Sequence, residues 1–339
     1  MSLICATGDP TEVNVQGKRL NVPLASRTRS GRTGVPLWLM LTLALALTAC
    51  DARPEGAAER SITPKVLLIG IDGVRSDVLA AVSTPNLDAL ASTGTFTAQT
   101  RTTSPSVSGP AWSSMLTGVW PEKHGVTNNE FTGKRYGEYP DFLTRIEQAR
   151  PELSTFAVAD WLPLVAAEDG NPTISNRIDE RHLLDGSELG WPEADGRSVE
   201  IAVRHLLEAD PDAMFVYLGN PDETSHEHRS IGPEYREAIA LADRHVGMLV
   251  EALRARPGYA AEDWLIIAST DHGRREDGGH GGDSEEEMTT FLLLNGRSVA
   301  RGASPGATFI VDVPVTALAH LGIAIAPEWG LDGRPLGTR

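Results

Sequence analysis

Cysteine is almost missing from this chain. Of its 339 residues only Cys5 and Cys50 carry a thiol, and both stand in the N-terminal segment. The body of the protein therefore has no disulfide and no thiolate-ligated metal, so any metal it binds must be held by histidine and carboxylate. Basic charge is scarce as well: 30 Lys and Arg face 46 Asp and Glu, a formal net charge of -16. With few basic clusters, this argues against a surface that neutralises the phosphates of a nucleic-acid polymer. Small or neutral substrates stay open, and so do anions held by a metal. No internal repeat and no low-complexity tract is present, and the apolar run from Val35 through Leu47, about a dozen residues, is short of the roughly 20 that a spanning helix needs.

That run has instead the outline of a signal peptide, with Arg27, Arg29 and Arg32 ahead of it. It ends in Leu47-Thr48-Ala49-Cys50, which resembles the bacterial lipobox, whose cysteine is lipidated and becomes the mature N-terminus. An uncleaved anchor and an ordinary secretory signal are the competing readings. Asp51 resembles the signal that keeps some lipoproteins in the inner membrane. The expected location is the bacterial cell envelope, lipid-anchored at Cys50 and facing the periplasm. The leader ahead of Arg27 exceeds what such a segment requires, which suits a start codon further in. Residues 51–63, rich in Ala, Glu and Arg, read as a tether, and 64–339 as the folded domain.

The domain begins with Lys65-Val66-Leu67-Leu68-Ile69-Gly70-Ile71, too uniformly apolar for a half-exposed strand and therefore central in a sheet. A helix follows at Thr84 to Ala91, with Pro85 in its first turn and Gly94 past its end. The same grammar recurs: a strand near Thr155–Val158, a helix over Ser198–Ala209, a strand Met214–Leu218, a long helix from about Pro233 to Ala255, a strand Trp264–Ala268 and another at Thr289–Leu294. Such alternation predicts an α/β three-layer sandwich with a largely parallel central sheet and helices on both faces.

Ligands of open α/β sheets sit at the carboxyl ends of the strands. Three predicted strands end in acidic chemistry: Asp72, Pro221-Asp222 and Asp271-His272. Asp222 and His226, four apart, share a face if the segment turns helically, so both can reach one ion. His280 stands between Gly278-Gly279 and Gly281-Gly282, which let the backbone bring it close to a crowded site. His228 is near enough to compete, but its place between Glu227 and Arg229 suits solvent. His182, His205, His245 and His320 lack paired carboxylates in the sequence and receive no chemistry. Ser108, followed by Gly109-Pro110 and then Trp112, Met115 and Leu116, falls at a helix start, where amides and dipole favour an anion. It could equally be a plain helix cap.

Taken in order, these motifs resemble the alkaline phosphatase superfamily, and their spacing the nucleotide pyrophosphatase/phosphodiesterase branch. The resemblance rests on Ile69-Gly70-Ile71-Asp72-Gly73, Ser108 nine residues before Thr117-Gly118, Trp120 through Val126, Pro221-Asp222 with His226, Asp271-His272-Gly273 with His280, and the closing Leu331-Asp332-Gly333-Arg334-Pro335-Leu336. It implies two divalent metal ions, zinc by ligand type: one held by Asp222, His226 and His280, the other by Asp72, Asp271, His272 and the Ser108 oxygen. It further implies a serine nucleophile, a phosphoserine intermediate and a small phosphate-ester substrate. The expected activity is that of a phosphodiesterase or nucleotide pyrophosphatase.

Two departures qualify the resemblance. The branch usually carries asparagine three residues after the nucleophile, where this chain has Ala111, so Asn128, Asn129 or helix amides would have to hold the phosphate oxygens. The sulfatase branch requires arginine where this chain has Trp112, so Ser108 is expected unmodified rather than converted to formylglycine. The alternatives are a phosphomonoesterase, a phosphonate hydrolase, a sulfatase or a catalytically silent binding lipoprotein. The stretch 160–196, with Trp161, Trp191 and several prolines, is the expected source of substrate loops. Oligomeric state leaves no mark in the sequence.

Overall fold

Strand β1 (Thr63–Ile71) is buried on both faces from Val66 to Ile71, as its uniformly apolar sequence requires. Around it lie β2 (Thr95–Arg101), β3 (Thr155–Ala159), β4 (Glu180–Leu183), β5 (Ala213–Leu218), β6 (Glu262–Ser269) and β7 (Thr289–Asn295), in the order β2-β7-β6-β1-β5-β3-β4. The computed structural model describes residues 62–167, 169–302 and 305–337. The expected signal segment of residues 1–50, with Cys50, and all but the end of the expected 51–63 tether lie outside the described residues.

In register, Val66 of β1 faces Ala213 of β5 and Leu265 of β6, both parallel. β3 continues the parallel sheet beside β5, and β4 beside β3. Only β7 reverses, antiparallel to both β6 and β2. The carboxyl ends of β6, β1, β5 and β3 thus share one edge, where the acidic residues were expected.

Alternate residues of β1 face opposite cores. Val66 and Leu68 pack with Trp112, Met115, Phe142, Val313 and Leu318, from the helices Ser108–Thr117, Phe142–Ala149 and Asp312–His320. Leu67, Ile69 and Ile71 pack with Leu87, Val199, Leu206, Tyr235 and Val246, from the helices Pro85–Thr93, Trp191–Glu208 and Pro233–Ala255. Gly70 has a specific use: a β-carbon there would fall 2.4 Å from the Trp112 ring, so the strand must be bare for that indole to lie on it.

Two expectations need correction. The helix predicted to begin at Ser198 starts at Trp191, with Pro192 in its first turn. Trp191 is therefore packing rather than a loop aromatic, its ring lying close against Gly186 and Gly219. Nor is 160–196 bare loop: it holds the short helices Leu162–Val165 and Gly186–Leu189 and the edge strand β4. No helix among the described residues is long and apolar enough to cross a membrane.

Asp160, at the end of β3, and Asp195, in the Trp191–Glu208 helix, are fully buried against each other. Asp195 Oδ1 accepts the amides of Gly219 and Asn220, at 2.9 and 3.3 Å, and so fixes the start of the Asn220–His228 helix. Both Asp160 oxygens lack any other donor. Burial, then the charge of Asp195, pushes the Asp160 carboxyl well above its ordinary value of 3.8, so Asp160 keeps a proton and donates it to Asp195. The unfolded chain gives that proton up near its ordinary value, so stability falls as pH rises from there toward the raised native value. Asp160→Asn supplies the same donor without a proton to lose. It should raise the melting temperature by a few degrees at pH 8 and little at pH 4; equal gains at both would refute the shared proton.

Candidate active site

The six candidate ligands Asp72, Asp222, His226, Asp271, His272 and His280, together with Ser108, gather in one cluster. Asp72 follows β1, and its amide donates to Leu218 O at 2.9 Å, locking it to the end of β5. Asp222 and His226 lie on one face of the Asn220–His228 helix directly after β5, and Asp271 and His272 follow β6. His280 arrives from the glycine loop, with Gly278 and Gly281 at positive φ of 76° and 109°.

Hydrogen positions follow from the partners. His272 Nδ1 lies 2.9 Å from Gly273 O and must donate to it, which leaves Nε2 with a lone pair. That lone pair faces Asp271 Oδ2 at 3.4 Å, Asp72 Oδ1 at 3.5 Å and Ser108 Oγ at 3.2 Å. Neither carboxylate oxygen has a hydrogen-bond partner, though both are buried. Their opposite oxygens are satisfied: Asp72 Oδ2 accepts from Trp112 Nε1 at 2.8 Å and Tyr217 OH at 2.5 Å, and Asp271 Oδ1 from the Gly73 amide at 3.1 Å. Two carboxylate oxygens without a donor and an imidazole lone pair whose one donor is the Ser108 hydroxyl converge on one point, an arrangement that suits a cation.

A second convergence lies beside it. His280 Nδ1 donates to Ser106 O at 2.8 Å, so its Nε2 also offers a lone pair, 2.9 Å from His226 Nε2 and 3.7 Å from Asp222 Oδ1. His226 Nε2 stands 3.1 Å from Asp222 Oδ2. His272 borders both groups, since its Nε2 is 4.0 Å from Asp222 Oδ1; the shorter distances to Asp72 and Asp271 assign it to the first. The two sets Asp72, Asp271, His272 and Asp222, His272, His280 each have ligand atoms close enough to share an ion.

The electrostatics point the same way. Burial, then Asp222, raises the Asp72 carboxyl, and burial with Asp72 and Asp222 raises Asp271. Burial also lowers His272 and His280, keeping both imidazoles neutral. Burial would raise Asp222 too, but Arg274, followed by His226, His280 and His272, holds it well below the ordinary range. Crowded carboxylates beside neutral imidazoles form a donor set that suits a divalent cation.

Ser108 is the first residue of the Ser108–Thr117 helix. The N-cap is Val107, and the side chain that meets a first-turn amide is that of Asn129 rather than Ser108, so the capping reading of Ser108 fails. Of the two asparagines, Asn129 meets the residue next to Ser108: its Oδ1 accepts the Gly109 amide at 2.7 Å, while Asn128 closes a local turn with Glu130. From Asn129 a cavity of about 630 Å³ opens, lined by Phe131, Lys134, Leu162, Pro163 and Asp169. Further on, Trp120 N donates to Asp332 Oδ2 at 3.0 Å, joining the segment after the Ser108–Thr117 helix to the closing one.

Several residues escaped the sequence reading. Trp112, noted only as standing where sulfatases need arginine, and Tyr217 both orient Asp72. Arg274, buried against Asp222, gave no signal beyond its place after Asp271-His272-Gly273. His182 and His205 are not without carboxylates: both meet Glu180, at 2.6 and 3.3 Å, on the far edge of the sheet. His228 is exposed.

The sheet order, helices on both faces and a carboxylate–histidine cluster at the strand ends define the alkaline phosphatase superfamily. Within it the chain belongs to the type I phosphodiesterase / nucleotide pyrophosphatase family, whose model matches residues 66–171 and 184–276, more than half of its length. Human ectonucleotide pyrophosphatase/phosphodiesterase family member 7 is 25% identical over 255 residues, covering 69% of this chain and 53% of the relative. The bis(5'-adenosyl)-triphosphatase ENPP4 of Bos taurus is 24% identical over 260 residues, covering 70% and 52%. The chain spans about half the length of the curated relatives it matches. Among solved structures, murine ectonucleotide pyrophosphatase/phosphodiesterase 5 superposes with a TM-score of 0.60 at 15% identity, over 78% of this chain and 96% of that one. A 2-O GAG sulfatase does so with a TM-score of 0.64 at 14%, over 80% and 73%. These structural likenesses concern the fold.

Proposed function

We propose that the protein is a metal-dependent phosphohydrolase that cleaves small phosphodiesters, nucleotide pyrophosphates included, with Ser108 as nucleophile. The observation that carries this reading is the position of Ser108 Oγ, 3.2 Å from the His272 lone pair on which the unpartnered oxygens of Asp72 and Asp271 converge. One ion would be held by Asp72, Asp271, His272 and Ser108, the other by Asp222, His226 and His280. Such ions lower the pKa of a hydroxyl and stabilise charge on the attacking and departing oxygens.

The chain supplies the rest. The helix N-terminus favours the anionic Oγ, which forms the new bond to phosphorus as the ester oxygen leaves; water then cleaves the phosphoserine and frees Oγ. Asn129, with its Oδ1 fixed by Gly109, has its amide nitrogen left to donate to a non-bridging oxygen, a role that Ala111 cannot fill. Trp112 and Tyr217 hold Asp72 so that only Oδ1 faces the ion. The cavity beside Asn129 would take the organic group, with residues 162–171 as its outer wall.

Rates on a matched aryl phosphodiester, phosphomonoester and sulfate test the reading, together with metal analysis. The diester should be fastest, a divalent ion should copurify or restore activity, and mass spectrometry should find unmodified serine at 108. No response to any divalent ion would sink it. The location is part of the same proposal: the Leu47-Thr48-Ala49-Cys50 motif supports a lipid anchor, and Cys50→Ser should release the protein from membranes.

A further inference from the structure

Arg274 is among the largest side chains fully enclosed in the molecule. Its contacts span the segments that carry the site. Nε donates to Gly73 O at 2.9 Å, one residue past Asp72, and Nη1 donates to Gly278 O at 3.0 Å, two residues before His280. Nη1 also reaches Asp222 O at 3.4 Å, and Nη2 pairs with Asp222 Oδ1. The guanidinium lies over the Tyr235 ring, 5.2 Å from its centroid, and Tyr235 OH donates to the same Gly73 O at 2.7 Å.

We propose that Arg274 is a resident cation on Asp222, in competition with the ion held by Asp222, His226 and His280, and that it makes this the weaker, exchangeable metal position. The proposal rests on the two-metal reading above. A guanidinium does not give up its proton, and this one is tied to three backbone carbonyls and an aromatic face, so it stays in place when metal arrives. Asp222 Oδ1 is then already occupied, and the ion has Oδ2, the oxygen that faces His226. It binds there beside a fixed positive charge, with Asp222 and Arg274 enclosed though His226 is exposed, so repulsion from the arginine side is poorly screened. The charge of Arg274 is felt at the other position too, by Asp72 and His272, but it pairs with neither: the free oxygens of Asp72 and Asp271 have no hydrogen-bond partner. Metal should therefore fill the Asp72–Asp271–His272 position first. By reciprocity, a cation that weakens metal binding also reduces how much metal stabilises the fold.

The test titrates Zn²⁺ into chelator-stripped wild type, Arg274→Met and Arg274→Gln, with melting temperatures in chelator and in saturating zinc. Wild type should show two binding phases. In the variants the weaker phase should tighten roughly tenfold or more, the stronger one should change little, and zinc should raise the melting temperature more than in wild type. The glutamine variant keeps a donor for the carbonyls and decides the matter if the methionine variant does not fold. Two phases unaltered or weakened in the variants, or an equal melting loss with and without zinc, would overturn the proposal and leave a merely structural arginine. Absence of zinc binding to wild type would instead overturn the two-metal reading, and this proposal with it.

Discussion

Ser108→Ala should abolish phosphodiester hydrolysis and leave the fold almost untouched. The two roles open to this serine differ in what its loss costs. A helix cap replaced by alanine loses about 1 kcal/mol of stability and no chemistry. Here Val107 holds the cap position in extended geometry, the Gly109 amide is met by Asn129 rather than by Ser108, and the neighbour of Ser108 Oγ is His272 Nε2. Removing that oxygen takes away a reacting atom and a single long hydrogen bond to His272, with no helix cap lost. The rate should fall on the order of 10⁴-fold or more, the scale of losing a nucleophile, with a melting temperature within about 2 °C of wild type. Steady-state rates beside a thermal melt measure both. A residual rate above a hundredth of wild type would mean that water attacks phosphorus directly, and the phosphoserine would have to be abandoned.

Which parts were legible follows from where the information lies. β1, β5 and β6 are continuous apolar runs, and their acidic residues follow closely in sequence the strands that aim them, so Asp72, Asp222, Asp271 and His272 could be read off. β2 could not: Thr95–Arg101 is mostly Thr, Gln and Arg and is a strand because β7 pairs with it. β4 has four residues at the sheet edge, too few for any period. The start of the Trp191–Glu208 helix was hidden because Gly190-Trp191-Pro192 looks like loop punctuation, whereas Pro192 lies in its first turn. The site's supporting residues were hidden for a different reason. Trp112 is 40 positions from the Asp72 it orients and Tyr217 is 145, while Arg274 is 52 from Asp222. Their roles exist only once the sheet brings these segments together, and no local pattern announces them.

Asp271→Asn should stabilise the metal-free protein while destroying its function. Asp271 is wholly buried, and its carboxyl is raised by burial, by Asp72 and by Asp222. In the absence of a cation it is a liability: Oδ2 has no partner and lies among other acceptors. Asparagine keeps the oxygen that accepts from Gly73 and turns the orphan oxygen into an NH₂ that can donate to Asp72 Oδ1 or His272 Nε2. Satisfying a buried polar atom is worth about 1–3 kcal/mol, which in a chain of this size raises the melting temperature in chelator by a few degrees. The same NH₂ points where the ion would sit and offers it no lone pair. The ion next to Ser108 should be lost, and hydrolysis should fall by at least roughly 10²–10³-fold. His280→Ala should do the reverse, depleting the ion at Asp222 and His226 while the position beside Ser108 still fills. Zinc titration and melts in chelator separate the cases. A lower melting point for metal-free Asp271→Asn would show that the three convergent acceptors are already compensated without a cation, which would remove the main physical argument for a metal at this site.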